Sequence, residues 1–326
     1  MTILVIGSNC FTGCHFVDAL LDDPKNHVVG ISRSPEYADV FLPYKKRKGA
    51  DFTFKQLDIV NDWEGLRTFV DTLRPDVIIN VAALSEVALS NERPLEYFHT
   101  NVDALVRLVD HVRRQDYLRR FVHISSAEIY GACAQPLVED SVLNPSTPYA
   151  ASKAAADMFL LSMIKNFDFP AILIRSTNVY GRHQQLFKII PRTMIYLKQG
   201  KTIELHGGGT AVKSFIHVRD VVDGALAALK KNVSGVYNFT ERSDRSIADV
   251  VRLVCQRMGH DFEKATRIVG ERLGQDSRYF LNDEKARNEL GWSPRIAFED
   301  GIDEVRDWIE THWGEIENKP LAYVHK

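Results

Sequence analysis

Short apolar runs recur along the first half of the chain, at 3–6, 28–31, 52–57, 76–81, 121–124 and 171–174. Most are apolar throughout, as strands buried on both faces are. Between them, side chains of one kind fall three and four apart, the period of a helix packed on one side. Phe16, Ala19 and Leu20 open one such helix and 63–73 forms another. Asn101, Leu105, Leu108 and Val112 mark a third, with Asn101 expected as a structural hydrogen-bonder rather than a catalyst, and 150–161, rich in alanine, a fourth. Strands alternating with helices predict an α/β fold built on a doubly wound parallel sheet. After Arg175 the rhythm changes. Residues 176–181 read as a polar loop, and Gly200, Gly207, Gly208 and Gly209 divide short segments. A strand is expected at 213–218, with helices near 246–258 and 299–311. This less regular part predicts a smaller lobe closing over the sheet. No repeat or low-complexity tract interrupts the chain.

The turns after the strands carry the chemistry. The first strand runs into Gly7-Ser8-Asn9-Cys10-Phe11-Thr12-Gly13 and then a helix, the setting that makes a dinucleotide fingerprint credible. Backbone N–H groups of such a turn approach a pyrophosphate at the helix N-terminus. Cys10 stands where a middle glycine is usual, so the backbone there must keep a negative φ. The second strand ends in Ser32-Arg33-Ser34. An acidic residue there would hold the ribose hydroxyls of NAD. A guanidinium between two hydroxyls suits a 2′-phosphate instead, so NADP is expected over NAD. Asp58 and Ile59 end the third strand, one to accept from the adenine amino group and one to pack on its ring. The small residues Ala82 and Ala83 follow the fourth strand and let the cofactor approach. Ser85 is in reach of the substrate, with Glu86 beside it.

The fifth strand leads into Ser125-Ser126-Ala127-Glu128-Ile129-Tyr130-Gly131, and the next helix opens on Tyr149-Ala150-Ala151-Ser152-Lys153. Four apart, Tyr149 and Lys153 share a helix face. A cationic amine near a phenol lowers its pKa, and the phenolate can take a hydroxyl proton while hydride leaves the same carbon. Ser126 is placed to hydrogen-bond that hydroxyl and Glu128 to act at the neighbouring carbon. Tyr44 and Lys48 repeat the spacing without a strand-end serine and read as a solvated segment.

Composition narrows the class. The chain has 326 residues, 45% of them hydrophobic, enough for one large domain and a smaller lobe. A net charge of −2 gives no reason to expect nucleic acid or a membrane surface as partner. Its four cysteines have neither disulfide-framework nor zinc spacing, so no metal is expected. The opening strand and the lack of a long apolar run predict a cytoplasmic protein.

Taken together, these motifs resemble the extended short-chain dehydrogenases/reductases, in particular their nucleotide-sugar dehydratase, decarboxylase and epimerase group. Further marks of the resemblance are Asn80, Asn178-Val179-Tyr180-Gly181, 214–220 and Leu290-Gly291-Trp292. It implies a Rossmann-like NADP-binding domain of 1–176 plus about 213–239, and a nucleotide-sugar-binding lobe of 177–212 and 240–326. It also implies that Asn178, Lys188 and Lys213 sit at the nucleotide diphosphate. Arg278, in the stretch 272–279, would be a bidentate phosphate contact, and pairing through the Tyr149 helix and the one before it would give a homodimer or higher homo-oligomer. Dehydratases of this group carry Thr-Asp-Glu where this chain has Ser126-Ala127-Glu128. The acid that protonates the departing C6 hydroxyl is missing, while the glutamate that removes the C5 proton is kept. The resemblance therefore implies dehydration of a nucleotide sugar, UDP-N-acetylglucosamine or a related UDP-hexose. Its product would be a 4-keto-6-deoxy sugar or, as in the exo-glycal-forming 5,6-dehydratases, a 5,6-ene. Epimerase or 4-ketoreductase chemistry is the alternative.

Overall fold

A computed structural model describes residues 1–270, 278 and 280–323. Twelve strands are seen among them. They are β1 (Thr2–Ile6), β2 (His27–Ser32), β3 (Phe52–Gln56), β4 (Val77–Asn80), β5 (Arg120–Ile124) and β6 (Ala171–Ser176). Then come β7 (Asn178–Tyr180), β8 (Ile203–His206), β9 (Val212–His217), β10 (Gly235–Phe239), β11 (Asp244–Ser246) and β12 (Thr266–Val269).

Seven of these form one parallel sheet in the order β10-β6-β5-β4-β1-β2-β3. Its burial follows from strand geometry, since alternate residues face opposite sides. In β1, Ile3 and Val5 join one core cluster with Val28 and Ile79. Leu4 and Ile6 join another with Val29, Ile31 and Ile78. Helices cover both faces, which is why the strands read as apolar runs rather than as alternations. The chain winds outward from β1 to β3, returns to β4, and winds the other way through β5 and β6. The reversal between β1 and β4 opens a crevice at their carboxyl ends, where ligands bind in such sheets.

The other strands form two small sheets, β11-β9-β7 and β12-β8. A separate apolar core lies between them and the helices Ile189–Lys198, Ile247–Arg257 and Phe298–Thr311, with Met194, Val251 and Ile302 fully buried. Val40, from the segment between β2 and β3, is built into this second core. Its carbonyl accepts from Nε1 of Trp308 at 3.2 Å and lies 2.8 Å from Nδ1 of His183. The segment between β2 and β3 is therefore tied to this second core. No helix among the described residues is long and apolar enough to cross a membrane.

Three local expectations fail. Residues 176–181 are not all loop, because β7 pairs parallel with β9 from Asn178 to Tyr180. A buried backbone must find partners, and a three-residue ladder supplies them despite the polar sequence. Tyr44 is buried rather than solvated, and its hydroxyl donates to Glu36 at 2.8 Å. The helix of Tyr149 runs on to Phe167, beyond the alanine-rich stretch that marks it in the sequence.

Candidate active site

The glycine turn forms as its sequence requires. Gly7 takes φ +87°, and a Cβ there would come within 2.8 Å of the Ala82 nitrogen. A Cβ on Gly13 would fall 2.1 Å from the Gly7 carbonyl oxygen. Gly13 thus permits the close seating of helix Phe11–Leu20 on β1 and does not itself face the crevice. Cys10 keeps a negative φ of −75° and caps this helix, its sulfur accepting from the Gly13 N–H at 3.3 Å. Cysteine replaces glycine here because only a β-region backbone is needed. Burial pushes its thiol up to about 11.

Two cavities meet at this turn and share Cys10, Ala83, Ser85 and Gln185 in their linings. The smaller, about 190 Å³, runs along the carboxyl ends of β1, β2 and β3. Gly7, Asn9, Ser32, Arg33, Ser34, Asp58, Ile59 and Ala82 line it. Asn9 braces the turn against the end of β2, its amide nitrogen donating to the Ser34 and Pro35 carbonyls at 3.0 and 2.7 Å. Its buried Oδ1 has no partner among the described residues. Asp58 is more occupied than expected. Its Oδ1 accepts from the Val60 N–H at 2.8 Å and its Oδ2 from Asn61 at 2.8 Å. Burial opposes its charge, yet these hydrogen bonds prevail and hold its carboxyl below the usual range.

The larger cavity, about 280 Å³, lies over β4, β5 and β6. Phe11, Thr12, Ser126, Glu128, Tyr149, Lys153, Asn178 and Lys188 all line it. The first-turn N–H groups of Phe11 and Thr12 lack intrahelical acceptors, as at any helix start. The hydroxyls of Ser125 and Thr177 are buried in the lining without a partner among the described residues. A turn that a Cβ would fill, first-turn donors and orphaned buried oxygens together fit a dinucleotide spanning both cavities.

Local sequence sets the candidate side chains. Ser126 ends the loop after β5 in an extended conformation, and its oxygen accepts from the Glu128 N–H at 3.2 Å. That contact turns the chain so that Ser126 and Glu128 both reach the cavity. Thr147 caps the next helix, accepting from the Ala150 N–H at 3.2 Å, and Pro148 occupies its first turn. Tyr149 and Lys153 then lie one turn apart on the buried face. Tyr149 hydrogen-bonds Ser126. Ala127, where an acid would stand in the resembling dehydratases, is 2% exposed among Ile129, Tyr130, Ala154 and Leu281.

The expected lowering of the Tyr149 pKa is not found. Burial is the largest influence and pushes the phenol up, the Glu128 carboxylate pushes the same way, and the Ser126 hydrogen bond opposes both. Burial also lowers the Lys153 amine to about 8, against the pull of Asp157.

The substrate-side expectations divide. Ser85, Asn178 and Lys188 line the larger cavity. Glu86 does not, but Lys188 lies 3.5 Å from its carboxylate. Asn178 spends its amide on the Ser214 carbonyl at 3.1 Å. Lys213 and Arg278 line neither cavity. Lys213 is buried in β9 opposite Arg245, and Arg278 forks onto Oδ2 of Asp244 at 2.9 and 2.5 Å. An acidic neighbour on the next strand was not anticipated, and a guanidinium takes the carboxylate within reach. The rest of the predicted phosphate-binding stretch, 272–277 and Tyr279, lies outside the described residues.

Two contributors, Arg175 and Asp157, were missed in the sequence. Arg175, 1% exposed, meets fully buried Asp157 at 2.8 Å and donates to the Tyr130 hydroxyl at 2.6 Å. This network backs the Ser126–Tyr130 segment. Asp157 follows Lys153 by one helical turn, a spacing that was legible. Asn101, read as structural, grips Leu84 through both amide atoms and donates to Ser152 at 2.9 Å. Ser152 in turn donates to the Tyr149 carbonyl at 2.7 Å. Asn101 thus ties the loop after β4 to the catalytic helix.

A crevice of this form, with a serine, a tyrosine and a lysine around it, matches a known class. The model of the NAD dependent epimerase/dehydratase family covers residues 3–239, and the chain belongs to that family. Within it, one relative is a trifunctional UDP-glucose 4,6-dehydratase/UDP-4-keto-6-deoxy-D-glucose 3,5-epimerase/UDP-4-keto-L-rhamnose-reductase of Arabidopsis thaliana. It is 30% identical over 98% of this chain, which spans only 49% of that protein's length. Among solved structures, dTDP-glucose 4,6-dehydratase from Streptomyces venezuelae, with NAD bound, superposes with a TM-score of 0.87. It is 28% identical, and the match covers 97% of this chain and 98% of that one. UDP-glucuronic acid 4-epimerase from Bacillus cereus, in complex with UDP-glucuronic acid and NAD, also superposes with a TM-score of 0.87. It is 26% identical, covering 95% of this chain and 99% of that one.

Proposed function

We propose that this chain is a nucleotide-sugar dehydratase, acting on UDP-N-acetylglucosamine or a related UDP-hexose. One observation carries the reading: Glu128, Tyr149 and Ser126 face one cavity, and Ala127 beside them has no proton to give. Tyr149 takes the proton of the C4 hydroxyl as its phenolate, a form that burial and Glu128 disfavour and a cationic nicotinamide would favour, and Ser126 hydrogen-bonds the same oxygen. A nicotinamide dinucleotide held across the two cavities would supply a hydride acceptor for C4; return of that hydride to C6, with a proton added at C5, would give a 4-keto-6-deoxy sugar, and return to C4, with the proton restored to its oxygen, a 5,6-ene. The 4-ketone acidifies the C5 proton, which Glu128 removes, and the C6 hydroxyl leaves. Glu128, protonated by that step, is the group at hand to assist departure. An epimerase has no need of a carboxylate at this place, whereas a C5 elimination does.

The dinucleotide is assigned as NADP. Arg33, between Ser32 and Ser34 in the smaller cavity, supports this, because no acidic residue ends β2 there. We assign 1–176 with about 213–239 to the cofactor and 177–212 with 240–326 to the nucleotide sugar. Asn178 and Lys188 are assigned to its diphosphate, with Lys213 and Arg278 engaging once Arg278 leaves Asp244. Exposed Met158 and Leu161 on the Tyr149 helix support a homodimer through that face. The same reading places the protein in the cytoplasm.

The deciding experiment is incubation with a panel of UDP, dTDP, CDP and GDP sugars followed by mass spectrometry. Loss of one water from a UDP-hexose is expected, and NMR of the product locates the hydride. Unchanged mass throughout the panel overturns the assignment.

A further inference from the structure

The chain does not end at the helix that closes the second lobe. Fully buried Ile316 anchors the last helical turn, and the Glu317 carbonyl accepts from Gln199 at 3.0 Å. Leu321 packs on the second core. The segment then crosses back toward the other lobe. The ring of Tyr323 packs edge-on against Phe187, with centroids 5.4 Å apart at 83°. Tyr323 also joins the lining of the smaller cavity with Arg33 and Tyr37 from beyond β2 and Thr100 and Ser85 from beyond β4. Its hydroxyl feels the charges of Arg33 and Glu86, groups that belong to the opposite lobe. The segment from Ile316 to Tyr323 lies outside the matched family region, which stops at residue 239.

We propose that the C-terminal segment is a cofactor-retaining strap, with Tyr323 forming the outer wall of the adenosine-side pocket against a nicotinamide dinucleotide. A half-buried aromatic anchored by Phe187 offers a flat face to a nucleotide at little cost in side-chain freedom. It sits on the same side as Arg33, so it closes the end of the pocket where the 2′-substituent lies. The chemistry gives such a strap a purpose. In the redox-neutral reaction proposed above, on which this inference rests, hydride is borrowed and returned in one cycle. The dinucleotide then need not leave between turnovers. An enzyme consuming a reduced cofactor would have to open this wall every cycle.

The test measures the release rate of the bound dinucleotide from the full chain, from Tyr323→Ala, from Tyr323→Phe and from a chain ending at Pro320. Release should be roughly tenfold faster for Tyr323→Ala and for the shortened chain, the equivalent of about 1.4 kcal/mol of contact. Tyr323→Phe should keep the slow rate. Should the alanine and shortened forms fail to fold, the intact chain decides, because saturating dinucleotide must slow carboxypeptidase trimming of its last residues. Equal release, or equal trimming with and without dinucleotide, overturns the strap while leaving the dehydratase reading in place. A wild-type chain that turns over but holds neither NAD nor NADP sinks the strap as well. Failure of the sugar panel with a dinucleotide still tightly held would instead remove the dehydratase reading alone.

Discussion

The Lys153 amine lies 3.2 Å from Nε2 of His123 and 2.6 Å from the Ile124 carbonyl oxygen, which it donates to. Burial first, and the Lys153 charge second, hold the imidazole well below its ordinary pKa, so it is neutral and accepts from the ammonium. Two of the three N–H groups of Lys153 are therefore fixed to β5, leaving one for the cavity. His123→Leu should free the amine and lower kcat about tenfold, the worth of a buried hydrogen bond to a charged group. KM for the sugar should barely move. A kcat equal to wild type would show that Lys153 needs no support from β5.

The lowered Lys153 pKa also has a signature in stability. Between pH 8 and 10.5 the unfolded chain still binds a proton that the folded chain has released. Stability from this group therefore rises with pH over that window and is least below it. Denaturant titration of the cofactor-free protein should show wild type gaining on Lys153→Met from pH 8 to 10. A difference that stays flat would mean that the amine keeps its ordinary pKa.

In the proposed reaction Glu128 and Tyr149 act at two different carbons. Tyr149→Phe should lower turnover by about 10²–10⁴-fold, the range of general acid–base catalysis, with the dinucleotide still bound. Glu128→Gln should still reduce bound cofactor on mixing with sugar, and then stall without losing water. Stopped-flow absorbance of the reduced cofactor distinguishes these outcomes, and elimination at the wild-type rate in Glu128→Gln would remove the carboxylate from the mechanism.

Under the proposed assignment, Arg33 decides between NADP and NAD. Arg33→Ala should raise the Kd for NADP roughly tenfold or more, the cost of losing a charge-assisted phosphate contact, while that for NAD changes little. Calorimetry with both dinucleotides checks this. Equal losses for the two would show that the guanidinium serves the fold rather than a 2′-phosphate.

Arg175→Met should destabilise the protein by about 3–5 kcal/mol, because it strands the Asp157 carboxylate in the core. Asp157→Asn combined with Arg175→Met should recover much of that loss. Chemical denaturation of both variants reads the difference, and a mild single variant would mean that water reaches this pair.

Much of this architecture is legible before any coordinates. Buried parallel strands leave an unmistakable mark, as β1, β4 and β6 do, since both their faces must be apolar. That Ser126, Glu128, Tyr149 and Lys153 meet at one cavity is equally legible, because a strand-end serine and a capped helix beginning with Tyr149 are local features. What escapes is set by distance in the chain. β10 was not singled out as a strand, because Gly235–Phe239 gains its place only by pairing with β6. Asp244 comes to Arg278 from 34 residues away, and no spacing rule reports such a meeting. The Tyr149 pKa erred for a related reason: proximity to a lysine is readable, but the depth at which both are buried is not.

The late arrival of β10 also bears on how the protein is made. The large sheet cannot gain its last strand until about residue 239 has left the ribosome, after the small lobe's first segments have already been synthesised. Neither lobe can thus mature alone. A nascent chain must hold β6 with one edge unpaired until then, and that interval is when a chaperone would have most to offer it.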